Sequence, residues 1–378
     1  MKKITILALH LSYGGVEKAI TNMANIFVDT YEVEIICTYC LPHTPAYPLD
    51  ERVKVTYLMK DIPNRKAFKE SIQKRQWIKT LKEGIKSLKI LFNKKYLLVK
   101  KIKTIKEGIL ISTRNEDSIL VSKYAAKEVY KIAQLHHDHN FEKRYIRAFQ
   151  KKYRNIDVFA LLNEQMCEEV QSIMKGYTKT SCVVIPNFID DFPEDVDVHQ
   201  KEPVCLAVGR LDPIKGFDRL IKMAAQIVKK YPDWKFEIVG DGEQEVTLRS
   251  LIQEYRMEDH ILLLGRKNSE EIQQLMKKAS IYCMTSYSEG FGIVLVEAMS
   301  CKMASVAFDV RVGPSSILDD HKSGFLVTDE QDFINKVEEL MQDKELCERI
   351  GEEAYEKAKM FSKGEVQKIW YNVFEKAK

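Results

Sequence analysis

The sequence predicts an α/β protein built from two doubly wound, parallel-sheet domains of similar size. Three observations carry this. Short apolar runs recur at Ile4–Leu9, Val33–Thr38, Val53–Leu58, Ile109–Ser112, Ile132–Leu135 and Val158–Leu162. Most are separated by stretches long enough for a crossover helix, as a parallel sheet covered on both faces requires. The alternation then restarts at Val204–Val208, Phe236–Val239, Ile261–Leu264, Ile281–Thr285, Ala304–Phe308 and Phe325–Val327. Between the two series lies a stretch rich in proline and acid, Pro186-Asn187-Phe188-Ile189-Asp190-Asp191-Phe192-Pro193-Glu194-Asp195, continuing to Pro203. It has no periodicity and reads as a linker. The expected division is 1–186, a linker at 187–203, a second domain at 204–361 and a last helix at 362–378 that packs back on the first domain.

The length of 378 residues suits two to three domains, and 45% hydrophobic with 30% charged residues suits a globular chain with a sizeable core. No stretch approaches the roughly 18 consecutive apolar residues of a membrane-spanning helix. The first ten residues begin like a secretory leader, but the apolar run is short and Gly14-Gly15 and Glu17-Lys18 follow at once, so they are expected to form the first strand. The eight cysteines are scattered, several inside apolar runs, which favours buried free thiols in a reducing, cytoplasmic setting. Cys37 and Cys40 form a C-x-x-C with His43 nearby, but no second ligand pair follows to complete a zinc or redox site.

After the first strand, Gly14-Gly15 precede a helix. They can present amide N–H groups to a phosphate, or they can serve a tight turn that needs positive φ. Asn64 to Lys106 carries fifteen Lys and Arg against two Glu, a net +13 in a chain of net +4, so the remainder sums to −9. Ile78, Leu81, Ile85, Leu88 and Phe92 recur at helical spacing, with Trp77 at the margin. A basic amphipathic helix of this kind fits an anionic membrane surface or an anionic acceptor, with Lys79, Lys82, Lys86 and Lys89 facing it. The alternative is a helix packed on the sheet with a solvated basic face. No aromatic-stacking or recognition-helix pattern accompanies the charge, which argues against nucleic acid. His136-His137-Asp138-His139 closes the fifth strand; adjacent side chains diverge, so one turn rarely directs three of them at one metal ion.

The second domain opens with Val208-Gly209-Arg210-Leu211-Asp212-Pro213-Ile214-Lys215-Gly216, two cations at a strand-to-helix junction, a pattern that suits a diphosphate and the charge growing on a leaving nucleotide. Later comes Ser288-Glu289-Gly290-Phe291-Gly292-Ile293-Val294-Leu295-Val296-Glu297-Ala298. The strand before it and the apolar run from Ile293 place Glu289-Gly290-Phe291-Gly292 on a strand-to-helix turn, where free amides attract an anion. Glu289 and Glu297 flank that anion site, and carboxylates accept hydrogen bonds from sugar hydroxyls. A phosphate between two hydroxyl-reading acids describes a sugar nucleotide.

The Glu289…Glu297 pair with seven residues between them resembles the signature of retaining glycosyltransferases of the family 4 type. That resemblance implies the GT-B fold, two Rossmann-like doubly wound domains facing each other across a cleft. It implies that Glu289 reads the donor sugar, that Glu297 binds the ribose, and that Arg210 and Lys215 hold the diphosphate. It further implies donor contacts from Gly209, Gly290, Phe291, Gly292, Ile293 and Val294, from Arg266 near the base, and from the Gly14-Gly15 loop. A histidine after the fifth strand contacts the donor sugar in such enzymes; His136 fits that place best, with His137 as the alternative. The donor would be a UDP- or GDP-hexose, with no obligatory metal cofactor. The acceptor would be lipid-linked or a cell-surface polysaccharide, met by a protein peripheral on the inner face of the cell membrane. Rival functions are an epimerase or hydrolase on the same fold, which needs no large acceptor region, and a catalytically silent partner subunit, which tends to lose the charged donor residues kept here.

Overall fold

The structure is a computed structural model and describes residues 2–42, 44–62, 65–190 and 192–376. His43 of the C-x-x-C reading, Asn64 at the start of the basic segment and Asp191 of the expected linker lie outside them. Two compact units are present, one made of 1–161, 167–184 and 370–378, the other of 162–166 and 185–369.

The first unit contains strands β1 (Lys3–Ala8), β2 (Glu32–Tyr39), β3 (Lys54–Met59), β4 (Ile109–Ser112), β5 (Tyr130–Gln134), β6 (Val158–Leu161) and β7 (Ser181–Val184). They form one parallel sheet in the order β3-β2-β1-β4-β5-β6-β7. β4 and β6 are buried along their whole length, the near-continuous apolar pattern of strands covered on both faces. The edge strand β7 was not foreseen: Ser181-Cys182-Val183-Val184 is short, starts with a polar residue and is only half-buried.

The second unit contains β8 (Glu202–Val208), β9 (Lys235–Val239), β10 (Ile261–Gly265), β11 (Ala279–Met284), β12 (Ala304–Phe308) and β13 (Phe325–Val327), all parallel in the order β10-β9-β8-β11-β12-β13. Both sheets reverse strand order at their centre, between β1 and β4 in one and between β8 and β11 in the other. In open α/β sheets the crevice at the carboxyl ends of such strands is where ligands bind.

One segment departs from expectation. The stretch expected as a linker belongs to the second unit: Phe188, Ile189, Val196 and Val198 are buried, and Ile189 forms a bridge with Ser362. Lys201 ends it with its ammonium buried, donating to the carbonyls of Met276 (3.1 Å), Lys277 (3.3 Å) and Ala279 (2.8 Å) at a helix C-terminus. Cations belong at such ends because the last carbonyls of a helix lack intrahelical donors. The final helix, Lys363–Phe374, starts in the second unit, while its Trp370 and Phe374 pack edge-on to Phe27 of the first.

Candidate functional site

At the centre of the second sheet, β8 ends at Val208 and the chain turns through Gly209 and Arg210 into a short 3-10 turn at Pro213–Lys215. Gly216 follows with φ +64, and a Cβ there would lie 2.0 Å from the Thr285 carbonyl oxygen. Only glycine lets this loop press against the end of β11. The close approach delivers Lys215 to Glu289, its Nζ donating to Oε1 at 2.6 Å. Ser286 Oγ donates to the same carboxylate oxygen, also at 2.6 Å. Glu289 is therefore nearly buried, held by one cation and one hydroxyl, at the carboxyl ends of two adjacent central strands.

Arg210 is exposed and its guanidinium is paired with Asp212, Nε to Oδ2 at 2.7 Å. On the other side of the turn, Gly292 has φ +96 and starts the helix Ile293–Ser300. Gly290, Ile293 and Val294 line this helix start, where first-turn amides have no intrahelical acceptor. Phe291 buries its side chain in the core, edge-on to Phe361 at 5.5 Å, and contributes its backbone to the turn. Glu297 sits half-buried just over one turn along the helix. Tyr282, buried on β11 with its hydroxyl toward the Val208 carbonyl at 3.5 Å, has its phenol pushed up by burial and then by the charges of Glu289 and Glu297. One buried phenol thus senses both carboxylates. Arg266, just past β10, is exposed and approaches Asp241 at 3.8 Å.

Two parts of this site were not legible in the sequence. Arg219, on the helix Phe217–Ile227, is buried and donates from Nε to the Thr285 carbonyl (2.7 Å) and from a terminal nitrogen to the Ser286 carbonyl (2.6 Å). Its guanidinium lies 3.5 Å from the Phe308 ring centroid and 4.2 Å from that of Tyr287. It clamps the turn that carries Ser286 and Glu289. Its place, two residues after Phe217, is off the apolar stripe and gave no signal. The loop after β12 also reaches the site, since a Cβ on Gly313 would lie 3.1 Å from Glu289 Cβ.

In the first unit, neither Gly14 nor Gly15 adopts a left-handed conformation; Gly14 is extended at φ 161 and its N–H donates to Tyr47 Oη at 3.2 Å. The tight-turn alternative is therefore not what is built. A side chain on Gly15 would meet open space. The three histidines after β5 go to three separate partners. His136 is buried with Nε2 at 3.1 Å from Gln134 Oε1 and Nδ1 unpartnered, and burial, then the neighbouring His137, pulls its pKa down to about 4. His137 bonds the Tyr145 hydroxyl, and His139 places Nε2 3.1 Å from Glu169. Among the described residues no group of three or more His, Cys, Asp or Glu side chains is placed to hold a metal ion. Cys37 is buried, which pushes its thiol up to about 12, out of the reactive thiolate range. Lys79, Lys82, Lys86 and Lys89 are all exposed on the helix Trp77–Thr104.

Comparison with known proteins fits this geometry. Residues 188–357 match the family model of the glycosyl transferases group 1. Over its full length the chain is 25% identical to a Campylobacter jejuni α-1,4-N-acetyl-D-galactosaminyltransferase acting on an undecaprenol-diphosphate-linked glycan, covering 99% of that protein. It is also 25% identical to a Streptomyces coelicolor exopolysaccharide phosphotransferase across 99% of the chain, but spans only 40% of that relative's length. The pneumococcal O-GlcNAc transferase GtfA, solved with UDP and GlcNAc, superposes with a TM-score of 0.79 at 16% identity, covering 100% of this chain and 99% of that one. At that identity the likeness shows the fold, which is GT-B. The family match covers 188–357, a little under half of the chain.

Proposed function

We propose that the protein is a retaining glycosyltransferase of the family 4 type that moves a hexose from UDP- or GDP-hexose to a lipid-linked or cell-surface polysaccharide acceptor. The observation that carries this is the Lys215–Glu289 pair at 2.6 Å, at the switch point of the second sheet. A cation for the diphosphate there adjoins an acid for the sugar hydroxyls. Lys215 and Arg210, both held by carboxylates in the structure, exchange those partners for donor phosphate. Fixed cations in a water-poor site stabilise the charge that develops on the departing nucleotide. Glu289 orients the sugar and Glu297 the ribose, each as a hydrogen-bond acceptor. The backbone at Gly209 and from Gly290 to Val294 takes the phosphate side, and Arg266 the base side.

The family resemblance assigns His136 to the donor sugar and the Gly14-Gly15 amides to its phosphate. His136 is neutral at physiological pH, since its pKa is pulled down to about 4. In the reaction the bond from the sugar's anomeric carbon to the phosphate oxygen breaks. The acceptor oxygen bonds to that carbon on the same face, and its proton passes to the leaving phosphate. No step in this scheme uses a metal ion. The acceptor is met at the inner face of the cell membrane, whose anionic lipid attracts Lys79, Lys82, Lys86 and Lys89.

The test is a panel of UDP- and GDP-hexoses with nucleotide release as readout, with and without lipid-linked or polymeric acceptor. Acceptor-dependent release is expected, with the donor's anomeric configuration kept in the product and activity surviving EDTA. An inverted product would remove the retaining assignment. Loss under EDTA restored by a divalent ion would remove the metal-free one, and no release from any donor would remove the function.

A further inference from the structure

The long helix Trp77–Thr104 does not bury the apolar face that its sequence pattern defines. Ile78 (76% exposed), Leu81, Ile85, Leu88 (68%) and Phe92 (73%) form one continuous stripe open to solvent, with Trp77 and Tyr96 near its ends. Spacings of three and four residues put these side chains on one side of the helix. The face that packs is a different one. Ile90, Leu98 and Ile102 are buried, Lys101 donates to Glu34 on β2 at 3.1 Å, and Lys94 lies over the Tyr39 ring. A third face is covered by the short helix Arg65–Gln73, where Thr80 donates to Ser71 at 2.9 Å and Gly84 leaves room for the Phe68 ring. The helix is thus fixed to the first unit through two faces, and the stripe is what remains uncovered.

We propose that this helix lies in the plane of an anionic bilayer with its apolar stripe sunk into the boundary between headgroups and acyl chains, so that the protein docks by penetration as well as by charge. This rests on the membrane-docking reading above and deepens it. Charge selects the occupant. Lys82, Lys86 and Lys89 follow the stripe along one flank, roughly 90° around the helix at 100° per residue, where an interfacial helix meets lipid phosphates. The segment from Asn64 to Lys106 carries +13 while the rest of the chain carries −9. A second copy of the chain seated on the stripe would bring two such segments together, and like charges juxtaposed oppose association. A nucleic acid would use the lysines and leave Ile78, Leu88 and Phe92 in water. The helix lies on the bilayer and does not cross it, since among the described residues no helix is long and apolar enough to span one. Trp77 and Tyr96 suit the headgroup level, where amphipathic aromatic rings settle.

The experiment uses the full chain with vesicles of phosphatidylcholine, with and without 30 mol% phosphatidylglycerol as a chosen composition, in low and in roughly 1 M salt, where screening shortens to about 3 Å. Trp77 is a native probe; a Trp77→Phe variant subtracts the emission of Trp234 and Trp370. On anionic vesicles Trp77 emission should shift to the blue and be quenched by lipids brominated on the acyl chain. Part of the binding should persist in high salt. The double variant Leu81→Gln/Leu88→Gln, unchanged in charge, should bind at least tenfold more weakly while releasing nucleotide from donor alone at the normal rate. Binding that vanishes in high salt with Trp77 unquenched overturns penetration and leaves charge-only docking standing. Absence of vesicle binding, with a concentration-dependent dimer that the double variant abolishes, overturns the bilayer as occupant in favour of a second copy. Tight salt-sensitive binding to nucleic acid without vesicle binding overturns it as well. Loss of donor turnover in the double variant would show the helix to support the fold of the enzyme instead.

Discussion

Lys215→Ala tests the centre of the site, because the structure separates its catalytic cost from its structural one. The wild-type ammonium lies 2.6 Å from Glu289 Oε1, and the two side chains are 25% and 10% exposed. Removing the lysine leaves a nearly buried carboxylate with the Ser286 hydroxyl as its remaining hydrogen-bond partner among the described residues. Orphaning one member of a fully buried pair costs about 3–5 kcal/mol; with Ser286 retained and Lys215 partly solvated, about 1–3 kcal/mol is expected here. Turnover should fall at least a hundredfold, about 2.7 kcal/mol of transition-state stabilisation, since the cation is assigned to the leaving phosphate. The double variant Lys215→Ala/Glu289→Gln decides between the two costs. It carries no orphaned charge, so its denaturant midpoint should return to within about 1 kcal/mol of wild type while turnover stays low. Unfolding in urea and nucleotide release on the same preparations supply both readouts. Turnover of Lys215→Ala within tenfold of wild type would refute the diphosphate assignment. A double variant as unstable as the single one would place the loss in the packing of the lysine stem against Gly209 instead of in charge.

Arg210→Ala should also lower turnover about a hundredfold, with little effect on stability because the side chain is exposed and its ion pair is the surface one with Asp212. Arg219→Met removes both bonds to the 285–286 carbonyls and should lower kcat about tenfold or more with a smaller change in KM, because it frees the turn carrying Glu289 without touching the donor; an unchanged kcat would remove it as a positioning residue. Two buried groups of the first unit give opposite pH dependences. His136 has its pKa pulled down to about 4, so below about pH 6.5 the unfolded chain binds a proton that the folded one refuses, and stability falls by an order of 3 kcal/mol toward pH 4. Asp117, both of whose carboxyl oxygens are buried without a partner, is raised to about 6 by burial, against the pull of Lys94 and Arg114. The folded chain therefore binds its proton more tightly, and about 3 kcal/mol present at pH 4 is lost as pH rises through 6. Unfolding measured from pH 4 to 7 should be nearly flat in wild type from these two groups. Asp117→Asn should slope upward with pH and His136→Gln downward; the same slope in both variants would refute the assignment.

Much of the architecture was legible because parallel strands buried on both faces must be apolar almost throughout. β4, β6 and β12 are such runs, and the breaks between them are long enough only for crossovers. The glycine-flanked turns at Gly209–Gly216 and Glu289–Gly292 were legible for a similar reason: strand-to-helix junctions at a switch point need glycine, and charged residues there stand out against an apolar background. β7 was missed because an edge strand of four residues needs only one apolar face and carries too little pattern. The 187–203 stretch was misread as a linker because its proline and acid content masks Phe188, Ile189, Val196 and Val198, whose burial depends on partners distant in sequence.

The sequence by itself determined which residue types stand at the ends of the central strands, and so the class of ligand proposed for them, since cations and carboxylates on glycine turns are fixed by local chemistry. It also determined that the helix from Trp77 is amphipathic and basic. Only the tertiary structure decided which face that helix buries, because the periodicity of one helix does not say whether a sheet, a second helix or solvent lies against its apolar stripe. Only the tertiary structure joined Lys215 to Glu289, 74 residues apart, and set Arg219 on the carbonyls of Thr285 and Ser286 in the turn that carries Glu289. Those contacts arise from parallel strands β8 and β11 lying side by side, a neighbour relation that long-range pairing creates and that no local pattern encodes.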